Sequence, residues 1–173
     1  PWSDLISYVC RHGPKQLEGC RVLELGCGTG ANIPFFAAAG AEYFAVEGSA
    51  HAVELVHQQH PELIGRVVVG DFTATLPFDG AFDLVVDRSS LTHNTAVAIQ
   101  NTLQALQRLM RPGARLIGID WFSDRHSDRQ FGRRQSDAWT YGEFSAGQFA
   151  GYGQVHLSDE AHLRELLADF HLL

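Results

Sequence analysis

Five short apolar runs constrain the fold of this chain most, because helical patterns separate most of them. The runs cover residues 21–26, 41–48, 65–72, 81–90 and 114–122. They are continuously apolar for most of their length, which is typical of parallel strands buried on both faces. Connections between parallel strands are right-handed. The sequence therefore predicts an α/β fold with three layers, αβα, built on a mainly parallel, doubly wound sheet.

The helical patterns have recognisable starts and stops. Residues 3–12 form an amphipathic pattern for which Ser3 is the predicted N-cap. Ser49 is the predicted N-cap of another helix, and Pro34 fits a first helical turn. Further helices are expected over 96–113, which ends in an Arg-Pro-Gly stop signal, and over 158–170.

Size and charge exclude several classes of protein. The chain has 173 residues and a net charge of −7, which predicts one domain over 1–173 and argues weakly against a nucleic-acid partner. No run of apolar residues is long enough to cross a membrane. The three cysteines favour reduced thiols and a cytoplasmic location. The sequence predicts a monomer or homodimer with a small-molecule partner, no nucleic acid and no membrane.

Residues 121–157 depart from the alternation of strands and helices. This segment has little periodicity and is rich in arginine, aspartate, glycine and aromatic residues. It is too long for a structureless connection in a compact domain, so it is either functional or partly disordered. A substrate-side insert or lid is one interpretation, and a solvated, internally paired loop is the other.

A glycine-rich turn follows the first predicted strand. Gly26, Gly28 and Ala31 satisfy the dinucleotide fingerprint G-x-G-x-x-G/A. Glu47 ends the second strand, 47 − 26 = 21 residues after the first glycine, where a carboxylate accepts hydrogen bonds from ribose hydroxyls. These features fit a nicotinamide dinucleotide, and equally any adenosine ligand held by its ribose.

Glu24 favours one of these ligands. It lies in an otherwise apolar strand, two residues before Gly26. Burying an unpaired carboxylate is costly, and such a group would repel a pyrophosphate. A ligand with a positive charge near that position would stabilise the carboxylate. S-adenosylmethionine has two such charges, on its amino group and on its sulfonium.

The motif E-L-G-C-G-T-G, residues 24–30, resembles the first motif of class I S-adenosylmethionine-dependent methyltransferases. The resemblance continues in order along nearly the whole chain, at Glu47, at 70–72, at 82–94, at 108–120 and at 157–170. It implies a Rossmann-like fold and S-adenosylmethionine as the cofactor. That family has seven strands, and this chain ends near the start of the sixth. The last strands are therefore expected to be missing or truncated, and the fifth strand to be an open edge.

The resemblance also implies roles for individual residues. The glycines let the backbone approach the cofactor, Glu24 faces its amino-acid end, Glu47 holds the ribose, and the pair after the third strand frames adenine. Cys27 lies inside the turn and is interpreted as a small packing residue rather than a nucleophile. The predicted cofactor-binding residues are Glu24, Gly26, Cys27, Gly28, Gly30, Glu47, Gly48, Asp71, Phe72, Asp87 and Arg88.

Two residues near the end of the fourth strand are the catalytic candidates. His93 has the chemistry of a general base, and Asp87 lies where the reacting methyl is expected. The alternative is that this loop only caps the next helix, through Thr92 or Asn94. Asp71 could likewise only cap a turn. Asp120 and Trp121 are placed to line an acceptor pocket.

His51, His57 and His60 lie on one predicted helix, where His57 and His60 face the same way. No Cys, Asp or third ligand is placed to complete a site with these two, so no metal is predicted.

The sequence thus predicts a methyltransferase that moves a methyl group to an O, N or C atom of a small molecule. One alternative is an NAD(P)-dependent oxidoreductase, although the chain lacks a Tyr-x-x-x-Lys pair and Lys15 is its only lysine. The other is a non-catalytic module that binds S-adenosylmethionine. An RNA substrate is disfavoured by the acidic pI of about 5.6.

Overall fold

A computed structural model describes all 173 residues. The chain forms five α-helices and nine strands. The helices are α1 (Ser3–His12), α2 (Ile33–Ala38), α3 (Ala50–Gln59), α4 (Ala96–Leu109) and α5 (Glu160–Leu166). The strands are β1 (Arg21–Leu25), β2 (Glu42–Glu47), β3 (Val67–Val69), β4 (Phe82–Arg88), β5 (Met110–Ile119), β6 (Phe122–Ser123), β7 (Arg133–Arg134), β8 (Thr140–Gly142) and β9 (Gln154–Ser158).

The first sheet has five strands in the order β3-β2-β1-β4-β5, and every pair in it is parallel. This confirms the predicted α/β fold. The chain runs outward from β1 to β3 and then returns to the other side of β1, so the strand order reverses between β1 and β4. Ligands of such sheets bind beyond the carboxyl ends of the strands at this reversal. The glycine-rich turn begins there, directly after β1.

The inner strands supply the main hydrophobic core. Val22, Leu84 and Val86 are fully buried, and Phe36 of α2 and Val56 of α3 belong to the same cluster. β5 differs from the expected continuous buried run, because about half of its residues are exposed. The physical reason is its position at the end of the strand order, where only β4 is its neighbour.

The second sheet has four strands in the order β6-β9-β8-β7. It is built largely from residues 121–157, and it has its own apolar cluster of Tyr141, Phe144, Phe149, Val155 and Leu157. The segment is therefore ordered in the structure, whereas the sequence left partial disorder open. The aromatic residues that broke the periodicity form a small core.

The chain divides into two compact units. The first comprises Pro1–Arg88 and Ala105–Ile119, and holds the five-stranded sheet. The second comprises Ser89–Gln104 and Asp120–Leu173, and holds the four-stranded sheet. No helix is both long enough and apolar enough to cross a membrane.

Most predicted helix starts agree with the structure. Ser49 caps α3, since its side chain accepts a hydrogen bond from the Ala52 N–H at 3.2 Å. The prediction for Ser3 is wrong: Trp2 is the N-cap residue of α1, without a side-chain cap bond, and Ser3 is the first helical residue. Asp159 caps α5 through the His162 N–H at 2.8 Å.

Candidate functional site

The turn after β1 is built from glycines in a conformation that other residues avoid. Gly26, Gly28 and Gly30 have φ values of +68°, +54° and +82°. The Gly26 N–H donates to the carbonyl of Val46 in β2 at 2.9 Å, which anchors the turn on the neighbouring strand. Left-handed backbone costs an ordinary residue about 1–2 kcal/mol, so the three glycines allow the turn without that strain.

Gly28 and Gly30 differ in what surrounds them. A Cβ on Gly30 would lie 2.5 Å from Ile33 Cδ1 and 3.1 Å from Val56 Cγ2, whereas a Cβ on Gly28 would meet nothing within 4 Å. Gly48, after β2, is also open. Gly30 is therefore required for packing, while Gly28 and Gly48 leave room for a ligand to approach the backbone closely.

We expect the two alanine substitutions to separate these roles. Gly30→Ala should lower the free energy of unfolding by about 2 kcal/mol, through strain and crowding against Ile33. Gly28→Ala should cost about 1 kcal/mol of strain and should weaken ligand binding at the turn. Denaturant unfolding measures the first effect, and calorimetric titration with S-adenosylhomocysteine, the demethylated product of the expected cofactor, measures the second. Unchanged ligand affinity in Gly28→Ala would contradict the assignment of the open space.

Glu47 fastens the glycine-rich turn from the end of β2. Its Oε2 accepts the Gly28 N–H and its Oε1 accepts the Ser49 N–H, each at 2.8 Å. The side chain is half-buried. Each carboxylate oxygen has a further lone pair, so the two backbone donors orient Glu47 without using its full acceptor capacity.

Glu24 is buried, as its strand position requires, but it is not unpaired. Only 3% of it is exposed. Asn32 Nδ2 donates to its Oε1 at 2.8 Å and the Tyr43 hydroxyl donates to its Oε2 at 2.5 Å. Burial raises the pKa of Glu24 to about 7, against the effect of these two hydrogen bonds, and Asp87 and Glu47 raise it further.

Glu24 was expected to be unpaired within the protein, and this expectation is wrong because Asn32 and Tyr43 both donate to it. Sequence reasoning missed both residues. The strand register contained a signal, because Ala45 pairs with Glu24, and Tyr43, two positions earlier on β2, lies on the same face of the sheet. A lone tyrosine in a buried strand needs a hydrogen-bond partner.

Arg88 is held by the start of the chain. Its guanidinium donates to the Asp4 carboxylate, with an Nη2–Oδ2 distance of 3.2 Å, and lies 4.1 Å from the centroid of the Trp2 ring. The Trp2 backbone N–H donates to Asn32 Oδ1 at 3.0 Å. Asn32 therefore connects the segment before α1 to Glu24. The predicted cofactor contact of Arg88 stays a prediction.

Asp71 and Phe72 follow β3 at the same edge of the sheet as Glu47. Asp71 Oδ1 accepts the Thr73 N–H at 2.8 Å and the Thr73 hydroxyl at 2.6 Å, and these bonds lower its pKa. Asp71 thus does cap a turn, the alternative that the sequence left open. Its exposed carboxylate still has acceptor capacity. Phe72 is half-buried and lies outside the main core, and both adenine contacts stay predictions.

Asp87 and Cys27 are buried close to the turn. Asp87 is fully buried in β4 and pairs in register with Leu25, the last residue of β1. Cys27 packs in the main core, and burial raises its pKa to about 12. A thiol with so high a pKa stays protonated and is a poor nucleophile, in agreement with the packing role that the sequence suggested.

His93, in the second unit, is fixed in one orientation. Its Nδ1 lies 2.9 Å from the Gln154 carbonyl oxygen, and its ring stacks on Tyr152 at 5.2 Å with an interplanar angle of 11°. The neighbouring Thr92 hydroxyl donates to the His156 carbonyl at 3.0 Å. A carbonyl only accepts, so His93 carries its proton on Nδ1 when neutral and has a basic Nε2.

The sequence missed a buried histidine pair that supports this region. His156 Nε2 and His162 Nε2 lie 3.0 Å apart, and His162 stacks on Trp139 at 4.2 Å. The Asp137 carboxylate accepts the Thr140 hydroxyl at 2.8 Å and also caps α4 through the Ala96 N–H at 2.9 Å. Asp120, with a φ of +60°, begins the second of the two chain segments that form this unit.

The first unit therefore presents acceptors rather than phosphate-binding cations at the carboxyl ends of its strands. The arginine at the end of β4 is ion-paired with Asp4. Such a set fits a ligand with hydroxyls, amines and positive charge better than a pyrophosphate. The carboxylates are Glu24, Glu47, Asp71 and Asp87.

Comparison with known families agrees with this chemistry. The family model described as a methyltransferase domain matches residues 22–113, which is more than half of the chain. The chain belongs to the class I S-adenosylmethionine-dependent methyltransferases. The predicted family is thus confirmed, and S-adenosylmethionine is its cofactor.

Two curated methyltransferases illustrate the relationship. The chain is 31% identical over 144 residues to a cypemycin N-terminal methyltransferase from a Streptomyces species, covering 80% of this chain and 54% of the relative. It is 38% identical over 96 residues to a magnesium-protoporphyrin O-methyltransferase from Rhodobacter capsulatus, covering 54% of this chain and 42% of the relative. The chain spans about half the length of these relatives.

Solved structures show the same methyltransferase fold. A methyltransferase from Methanosarcina mazei superimposes with a TM-score of 0.72 at 19% identity, covering 98% of this chain and 84% of that one. An amino pentose methyltransferase from Micromonospora echinaspora, with S-adenosylmethionine bound, has a TM-score of 0.66 at 18% identity, covering 96% and 80%. These likenesses confirm the Rossmann-like architecture.

Proposed function

We propose that this chain carries the cofactor-binding part of an enzyme that transfers a methyl group from S-adenosylmethionine to an O, N or C atom of a small-molecule acceptor. The observation that carries the proposal is the glycine-rich turn at the strand-order reversal, tied to Glu47 through the Gly28 N–H. Open space over Gly28 and Gly48 supports a ligand at this turn.

The residues present fit this cofactor, which supplies an electrophilic methyl carbon on a sulfonium when bound. Glu47 would accept hydrogen bonds from the ribose hydroxyls. Glu24 would provide negative charge for the amino-acid end, and Asp71 with Phe72 would frame adenine. Asp87 stays a candidate for the methionine end. The protein contributes mainly positioning and exclusion of water.

The names of the relatives point to different acceptors and select none for this chain. One is named as an N-terminal methyltransferase, another as an O-methyltransferase, and a third, from Aquipseudomonas alcaligenes, as an arsenite methyltransferase. The acceptor region of this chain would be residues 121–157 together with the segment after β4, where His93 lies.

His93 would be the general base that takes the proton of the attacking group. The Gln154 carbonyl, 2.9 Å from Nδ1, supports this role because it leaves Nε2 unprotonated in the neutral ring. Long-range ¹H–¹⁵N spectra of the ring nitrogens should show the Nδ1–H tautomer near neutral pH. A spectrum of the Nε2–H tautomer would rule out this base.

Calorimetry distinguishes methyl transfer from the two alternatives. S-adenosylmethionine and S-adenosylhomocysteine should bind, and NAD(H) and NADP(H) should not. Binding of a nicotinamide dinucleotide without binding of S-adenosylmethionine would overturn the proposal. A module without catalysis predicts cofactor binding but no formation of S-adenosylhomocysteine in a broad screen of small acceptors.

Glu24 should make cofactor binding depend on pH. Its pKa of about 7 means that the carboxyl is partly protonated at neutral pH. The cationic amino group of the cofactor favours the ionised form of Glu24. Below pH 7, binding must therefore release a proton from this carboxyl. The Kd of the cofactor at pH 6 should be about tenfold higher than at pH 8. Calorimetric titrations of wild type and Glu24→Gln test this.

The control for this pH experiment is Glu54→Gln on the exposed face of α3. That variant should keep the pH dependence of wild type, while Glu24→Gln should lose it. A Kd that is independent of pH in the wild type would remove Glu24 from the amino-acid end of the cofactor.

A further inference from the structure

The carboxylate of Glu24 receives hydrogen bonds from two side chains that are themselves buried. Asn32 Nδ2 donates to Oε1 at 2.8 Å, and the Tyr43 hydroxyl donates to Oε2 at 2.5 Å. Asn32 is only 3% exposed and Tyr43 only 2%. All three residues belong to the first unit, which also contains the glycine-rich turn. Each carboxylate oxygen therefore faces a donor that is shielded from solvent.

The amide of Asn32 is fixed in one orientation. Its Oδ1 accepts the Trp2 backbone N–H at 3.0 Å, and a backbone N–H can only donate. The Nδ2 group is therefore the end of the amide that faces Glu24, and this group donates without accepting. If Glu24 is protonated, its proton must then lie on Oε2, next to Tyr43.

Tyr43 has to change its hydrogen bonding when Glu24 is protonated. In that state the carboxyl donates from Oε2, so the Tyr43 hydroxyl must accept and turn its own hydrogen away. Its other hydrogen-bond neighbour is the Cys27 thiol, and sulfur is a weak acceptor. The ionised carboxylate keeps both donors, whereas the protonated carboxyl loses one. A length of 2.5 Å is typical of a charge-assisted O–H···O⁻ bond.

The other surroundings of Glu24 oppose its ionisation. Burial has the largest effect and raises its pKa, and the negative charges of Asp87 on β4 and Glu47 at the end of β2 raise this pKa further. Arg88 is ion-paired with Asp4, and α2 contains no acidic or basic residue. The two side-chain donors lower the pKa of Glu24 against these effects, so they decide how much of it is charged near neutral pH.

We propose that Tyr43 and Asn32 are positioning residues for cofactor binding, which hold the Glu24 carboxylate ionised and in one orientation for the cationic amino group of S-adenosylmethionine. Neither residue has to touch the cofactor, because both act through Glu24. The inference rests on the proposed function, in which Glu24 provides the negative charge at the amino-acid end. It adds the two residues that control this charge.

Tyr43→Phe tests the proposal, because it removes the hydroxyl and keeps the ring that stacks on Phe36 at 5.6 Å. A ¹³C NMR titration of the Glu24 carboxyl in the ligand-free chain should show a midpoint about one pH unit higher than in wild type. Tyr8→Phe removes the hydroxyl of an exposed tyrosine on α1 and should leave the midpoint unchanged. The same midpoint in Tyr43→Phe as in wild type would overturn the proposal.

Asn32→Ala tests the second donor by the same titration. Asn32 makes no side-chain cap bond to α2, so the substitution does not uncap that helix. The midpoint of Glu24 should again rise by about one pH unit. A midpoint that stays at the wild-type value would remove Asn32 from the proposal.

Cofactor affinity distinguishes positioning from a merely structural role. If only ionised Glu24 pairs with the amino group, Tyr43→Phe should raise the Kd of S-adenosylhomocysteine about fivefold at pH 7 and less than about twofold at pH 8.5. A structural role predicts the same ratio of Kd values at both pH values, and that result would overturn the proposal.

The wild-type titration separates this inference from the proposed function. A wild-type chain that binds no S-adenosylhomocysteine at any pH contradicts the proposed function, and this inference with it. A wild-type chain that binds the compound, with a Tyr43→Phe variant of unchanged pH dependence, contradicts this inference alone.

Discussion

Glu47→Ala is expected to weaken S-adenosylhomocysteine binding about 100-fold, because the two charge-assisted hydrogen bonds that we propose Glu47 accepts from ribose hydroxyls would contribute about 1.5 kcal/mol each. The substitution also removes the acceptor of the Gly28 N–H, so the turn loses the contact that orients it. Both losses act in the same direction. Isothermal titration calorimetry on wild type and variant measures the change directly.

Glu42→Ala is the matched control, since Glu42 is exposed and starts the same strand that Glu47 ends. It should bind the ligand as wild type does. The melting temperature of each ligand-free variant must be measured as well, because Glu47→Ala also leaves the Ser49 N–H without its acceptor. Wild-type affinity in Glu47→Ala would refute its assignment to the ribose.

Acidification should destabilise the fold through His156. Burial lowers the pKa of His156 to about 4 from 6.5, and the neighbouring His162 lowers it further while Asp137 opposes the shift. Below pH 6.5, His156 therefore binds a proton in the unfolded chain but stays neutral in the folded chain until the pH approaches 4. Above pH 6.5 this effect does not reduce stability. The free energy of unfolding should fall by about 2 kcal/mol by pH 5 and by about 3 kcal/mol by pH 4.

Glu24 titrates with the opposite sign, so the slope of the wild-type curve alone is a poor measure of His156. Its pKa is raised from 4.5 to about 7, which favours the protonated carboxyl in the folded state. Glu24 therefore adds stability as the pH falls from 7 towards 4.5.

The difference between wild type and His156→Gln in urea unfolding, measured from pH 7 to pH 5, isolates the histidine. His51→Gln, at an exposed position of α3, should keep the wild-type slope. If His156→Gln has the same pH dependence as wild type, the buried pair is not the source of acid sensitivity.

Much of the cofactor region was predictable because it depends on local sequence. Positive φ values at Gly26, Gly28 and Gly30 follow from a motif of five consecutive residues, and Glu47 follows from its spacing after the first glycine. The partners of Glu24 were not predictable in this way. Tyr43 reaches Glu24 only through the register of β1 on β2, and Asn32 through the path of the turn.

The sequence by itself determined the parallel sheet, the glycine-rich turn and the family, because these depend on hydrophobic runs and on short motifs. Only the tertiary structure decided how residues 121–157 are organised. Their aromatic residues form a small core, and the segment also contacts distant residues, as Gln154 contacts His93, 61 residues away. Such pairings leave no periodic signal, since each depends on where the backbone brings distant segments together. Glu24 is a second example. The sequence shows that a glutamate is unusual at this position, but only the fold brings two hydrogen-bond donors to it.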